Sequence, residues 1–187
     1  MPSSSAFVEA ASIGEHYSRF FVGPLTIDEM REWYFVFGAL DGIAARGAAV
    51  LPGRRRRELA ERIRELAGAH LEAGTGEDPR YDRIQRLDTS LHETYVQAGG
   101  GPRLLQQHAS IRPHVDRYGI FYATALIQKL PSEIYVEHSA IADAIQAGDA
   151  DAAERAAVSN WRNATVRFEG VMRIWGERGN WKADGKQ

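Results

Sequence analysis

Apolar side chains recur every three or four positions along most of this chain, and Gly and Pro gather in the gaps between those runs. A 3.6-residue rhythm places its apolar members on one helix face, whereas a half-buried strand needs strict alternation. The chain has no clean alternating run, and no Asn-Gly or Asp-Gly turn joins two such runs. The fold class expected is therefore all-α, a bundle of six to seven helices without a sheet.

The Gly/Pro clusters set the boundaries. Residues 1–25 form an N-terminal segment in which Phe7, Val8, Ile13, Tyr17, Phe20 and Phe21 suggest a short helix over about 6–21. Thr26-Ile27-Asp28-Glu29 reads as a capping box, with the Thr hydroxyl on the amide at position 29 and Glu29 reaching back. The helix it starts runs to about Val50 and turns Trp33, Phe37, Leu40, Ala44 and Ala48 inward. The next spans 54–73, with Leu59, Ile63, Leu66 and His70 as its stripe, and a third covers 80–98. Pro102 suits a first helical turn, and Pro113 is expected to kink that helix or to start a new one reaching about Lys129. Ser132 is expected to cap a helix to Ala147, Gly148 to close it in a left-handed conformation, and Asp149 to cap the last helix, which ends near Trp175. The bundle thus occupies 26–176, followed by a loosely held tail over 177–187.

Composition removes several classes of function. With no Cys among 187 residues, a disulfide scaffold, a thiol nucleophile, a zinc ribbon and an iron–sulfur cluster are all excluded. No apolar run approaches the ~20 residues of a membrane span, and no secretory signal opens the chain. A formal charge of -2 argues against direct contact with nucleic acid. A cytoplasmic protein is expected.

The informative residues are polar groups on apolar stripes. In the helix over 80–98, Ile84, Leu87, Leu91 and Tyr95 face inward, with Asp88 and His92 beside them and one turn apart. His138 lies near the middle of the stripe formed by Ile134, Ile141 and Ile145. In the last helix, Ala153, Ala157, Trp161, Ala164, Phe168 and Trp175 face in, Asn160 lies inside the edge of that face, and Asn163 and Arg167 follow. Carboxylate and imidazole inside a bundle are costly unless paired or bound to metal. Neutral imidazole suits Zn or Ni, and a carboxylate widens the choice towards Mn. The competing reading is that these groups merely satisfy one another in the core. His70 and His108, near helix ends, are expected at the surface or in packing, and His114 and His16 carry no assigned role. Arg54 to Arg57 read as a solvated helix start, and Gly99-Gly100-Gly101-Pro102 as a helix–helix turn, since no Lys-Ser/Thr follows to make a phosphate loop.

Two stretches, LDTSLHETYVQAGGGPRLL (87–105) and EHSAIADAIQAGDADAAERAAVSNW (137–161), carry a resemblance to a known family. In order and spacing the chain over 26–175 resembles the FCD domain, the effector-sensing domain of FadR-type regulators of the GntR family. The resemblance implies an antiparallel bundle around a central cavity. It also implies a divalent metal (Zn, Ni or Mn) on Asp88, His92 and His138, with a small organic acid bound beside it. The fourth ligand position falls on Asn160, where the family has His; an amide oxygen is a weaker ligand for Zn or Ni, so Asn160 either completes the site poorly or bonds the effector directly. Phe37 stands where many members carry Arg. That departure leaves Arg112, Arg117 or Arg167 as partners for the effector carboxylate, with Tyr95 near by.

Residues 1–25 are too few for the winged helix-turn-helix that precedes this domain in the family. The functional expectation is an effector-sensing domain, not an enzyme, acting as a homodimer. The alternatives are a small metal-dependent enzyme acting on a carboxylic acid and a ligand-free dimerisation module.

Overall fold

The computed structural model describes residues 24–76, 81–127 and 131–178, with side chains at 121–127 left out. The helix expected over 6–21 lies outside these residues. Six helices are present among them: α1 (Ile27–Ala49), α2 (Gly53–Thr75), α3 (Tyr81–Gly99), α4 (Pro102–Ile127), α5 (Pro131–Ala147) and α6 (Ala150–Trp175). The all-α bundle is as the periodicity requires.

Local chemistry explains most of the ends. Thr26 Oγ1 accepts the Glu29 amide at 3.2 Å, which is half of the capping box. The return bond is missing because Glu29 is engaged elsewhere: its carboxylate accepts the Tyr118 hydroxyl at 2.9 Å and the Trp33 indole N–H at 3.4 Å. Gly148 adopts φ 78°, and Asp149 Oδ1 takes the Ala152 amide at 2.9 Å, so α5 stops and α6 starts where the sequence predicts. Pro131, not a Ser132 cap, begins α5, since a proline is tolerated in a first turn whose amides are unpaired.

Pro113 neither ends α4 nor starts a new helix; α4 is continuous through it. The proline lacks the amide that the Ala109 carbonyl would accept, and both residues face solvent, where water can take that carbonyl's place.

α1 is the central element, packing on α3, α4, α5 and α6, while α2 lies across α3 and α5. Its two halves serve two apolar clusters. The C-terminal half presents Ala44, Ala45, Ala48 and Ala49 to α3, α5 and the start of α6, in a cluster that α2 joins from the far side of α3 and α5. The N-terminal half presents Met30, Tyr34 and Phe37 to α4 and the end of α6. The inward face is centred nearer Tyr34 and Asp41 than expected, leaving Trp33 and Leu40 at its edge; Trp175 is exposed, not buried. The tail is held at its start: Leu25 and Arg178 exchange backbone hydrogen bonds, and Glu177 caps α1 through the Ile27 amide at 2.8 Å.

Small residues set the spacing of α1 and α3. A Cβ added to Gly99 would fall 2.0 Å from the Ala44 carbonyl oxygen and 2.3 Å from the Ala48 nitrogen, both backbone atoms that cannot step aside. Gly99→Ala should therefore force the helices apart and cost about 3 kcal/mol, read from urea unfolding. Gly101→Ala, where an added Cβ meets nothing within 4 Å, should leave the midpoint nearly unchanged.

Candidate functional site

The interior is organised by Asp41 of α1, which is fully buried. Its Oδ2 accepts from the His92 ring at 2.7 Å, the Tyr95 hydroxyl at 2.7 Å and the Trp161 indole at 2.8 Å. Its Oδ1 faces His108 Nε2 at 2.9 Å. Burial alone would raise the Asp41 pKa, but hydrogen bonds from His108 and His92 outweigh it and hold the group below the ordinary carboxylate range. The same contact raises His92 against the effect of its own burial. Because Nδ1 of His92 is committed to Asp41, Nε2 is the nitrogen left to face the cavity. A carboxylate behind an imidazole in this way fixes the tautomer and strengthens the other nitrogen as a ligand.

Nε2 of His92 lies 4.0 Å from Asp88 Oδ1, and Nε2 of His138 lies 3.4 Å from the same oxygen. The ligand atoms of Asp88, His92 and His138 all fall within 4.8 Å of one another. The carboxylate opens into a cavity and keeps 40% of its side-chain exposure, whereas His138 has none. Neither nitrogen of His138 has a hydrogen-bond partner. A buried donor or acceptor left unmade costs roughly 1–3 kcal/mol, so a fully buried imidazole with both nitrogens orphaned calls for an occupant. Burial pushes His138 down to about 3, which keeps it neutral with a lone pair to offer. Burial would raise Asp88, but the charges beside it, His92 first, more than offset this and favour the carboxylate. One carboxylate and two imidazoles fit a divalent transition ion in geometry; His138 already offers a lone pair, while His92, which the Asp41 contact makes more basic, would release a proton on ligating.

The other expected residues divide. Asn160 and Arg167 line the same cavity, but both are engaged by Glu137 of α5. Arg167 makes a fork on that carboxylate at 2.7 and 2.9 Å, and the Asn160 amide nitrogen donates to it at 2.9 Å. Arg112 also lines the cavity; its nearest carboxylate, on Asp116, is 3.8 Å away, and its Nη2 is buried without a partner. Its guanidinium sits 5.1 Å from the centre of the Phe37 ring, so α4 brings a cation to the position where α1 carries a phenyl. Tyr95 does not line the cavity: its hydroxyl is spent on Asp41. Arg117 is likewise absent from the wall, being five residues, or about 140°, around α4 from Arg112.

Three further residues belong here. Asp41 follows Phe37 by four positions on an apolar face, a signal as legible as that of Asp88. His108 is buried against Asp41 and stacks on Phe37 at 4.2 Å between ring centres, and His70 is buried and lines the cavity, so neither is a surface residue. Glu137, which holds Asn160 and Arg167, makes a fourth, and nothing in its spacing singles it out.

Residues 32–163 match the family model of the FCD domain. That match covers more than half of the chain, and the chain belongs to the FCD domain family, the effector-binding modules of GntR-type regulators, which are regulatory rather than catalytic. A search of curated proteins finds no match to the sequence. Among the described residues, no helix is long and apolar enough to cross a membrane.

The Asp41 network predicts a pH signature in chelator-treated protein. The depressed Asp41 pKa adds stability above its unfolded value of about 3.9, lost as pH falls through the folded one. The raised His92 pKa adds stability below its unfolded value of about 6.5, lost as pH rises through the folded one. Asp41→Asn should cost about 2 kcal/mol, with the widest gap to wild type between about pH 4 and 6.5. Urea unfolding across that range checks it.

Proposed function

We propose that this chain senses a small organic acid, bound in the cavity between a divalent ion on Asp88, His92 and His138 and the guanidinium of Arg112. The observation that supports it most is His138, a fully buried imidazole whose two nitrogens have no partner while a carboxylate and a second imidazole converge beside it. The ion, when bound, supplies Lewis-acid attraction for a carboxylate oxygen at its open positions. The chain's own residues do the rest. Asp41 holds His92 in the ligating tautomer. Arg112 offers an unpaired, buried N–H to an anion, a charge-assisted bond roughly twice as strong as a neutral one. Glu137 already neutralises Arg167, which favours Arg112 over Arg167 as the carboxylate partner.

The placement also suggests how binding is transmitted. Asp88 and His92 belong to α3, His138 to α5 and Arg112 to α4. An acid bridging the two poles ties α4 to α3 and α5. A bundle with two positions of α4 then shifts towards the one that both poles can reach, by the difference in affinity between them.

Metal-free protein should gain about 5–10 °C in Tm with Zn, Ni or Mn at a hundredfold excess over Kd, and a further gain with small carboxylates. His138→Ala should abolish the metal shift. Arg112→Ala should keep the metal shift and lose the acid shift. No shift of wild type with any of these ions would sink the metal part of the reading, and an unchanged acid response in Arg112→Ala would remove that residue's role.

A further inference from the structure

His70 is not used by the site described above. It comes from α2, the helix that lies across α3 and α5, and it is 3% exposed with its remaining surface turned into the cavity that Asp88, His92 and Arg112 line. Its Nδ1 is buried and has no hydrogen-bond partner. An orphaned imidazole nitrogen of this kind recurs nowhere among the described residues except on His138, its neighbour.

The two flanks of His138 match. The His92 ring stands 5.5 Å from it at an interplanar angle of 84°, and the His70 ring 5.7 Å from it at 79°. Imidazoles in adjacent positions on one ion, including a five- or six-coordinate one that keeps room for an acid, have ring centres roughly 5 Å apart. His70 thus stands to His138 nearly as His92 does. Asn160 is a poorer candidate for the same place: its amide nitrogen is fixed on Glu137, and its oxygen is a weaker donor than imidazole for Zn or Ni.

We infer that His70 is the fourth protein ligand of the divalent ion held by Asp88, His92 and His138, taking the place that the last helix leaves to an amide. The inference rests on the metal reading of the site. His70 lies outside the tight trio of ligand atoms, so ligation turns its ring towards Asp88, and the unbonded Nδ1 opposes that turn with no competing contact. The consequence is that α2 becomes part of the metal-dependent structure, tied through the ion to α3 and α5.

The test uses the full chain, stripped with chelator and reloaded with Zn alone. X-ray absorption should count three imidazoles in wild type and two in His70→Ala. Competition with a chelating dye should show His70→Ala weakened about tenfold or more, and Asn160→Ala within about threefold of wild type. A His70→Ala, Asn160→His double variant should recover the lost affinity and the third imidazole. Metal-free melts of each variant confirm that it is folded. Two imidazoles in wild type, or full affinity in His70→Ala while His92→Ala and His138→Ala lose it, would overturn this inference and leave the three-residue site standing. No Zn binding by wild type would overturn both.

Discussion

One buried carboxylate organises the interior. Asp41 has no access to water, and an isolated charge in that position would be prohibitively costly. Four ring-borne partners make it tolerable: His92 and Tyr95 from α3, His108 from α4 and Trp161 from α6. Asp41 therefore joins the alanine-rich cluster, to which Tyr95 belongs, to the aromatic cluster, to which Trp161 belongs. It also lies near the middle of α1, where the small-residue half that admits α3 gives way to the aromatic half that carries α4. The geometry of the cavity follows from this, because the same bond that satisfies Asp41 aims His92.

The polar groups around the cavity form two systems with different states of completion. Glu137, Arg167, Asn160 and Asn163 are mutually satisfied on the α5–α6 side. By contrast, His70 of α2, Arg112 of α4 and His138 of α5 keep buried nitrogens without hydrogen-bond partners. Buried polar atoms in folded proteins are almost always paired, so the unpaired group is what the proposed ligands would satisfy, and the paired group is part of the cavity wall. Phe37 is paired with a charge from another helix, since the guanidinium of Arg112 sits over its ring.

Part of this was legible without coordinates. Asp88, His92 and His138 stand on stripes whose period is unambiguous, and two helices that each bury one face must bring such residues together. Asp41 carries the same signal, four residues after Phe37, but a face drawn through Trp33 and Leu40 is offset from it by a fraction of a turn. His70 and His108 sit near helix ends, which usually face water; here α2 and α4 extend beyond those residues, so both are interior. Tyr95 and Arg117 show the opposite limit, since an inward or nearby position does not say which partner a hydroxyl or guanidinium meets first.

The sequence by itself determined the fold class, nearly all helix ends and the inward placement of Asp88, His92 and His138, because periodicity, caps and Gly/Pro breaks act within a few residues of one another. Only the tertiary structure decided which polar groups are spent on each other and which remain open. That outcome depends on angles between helices far apart in the chain, which leave Arg167 of α6 neutralised by Glu137 and Arg112 of α4 with an unpaired donor in the cavity.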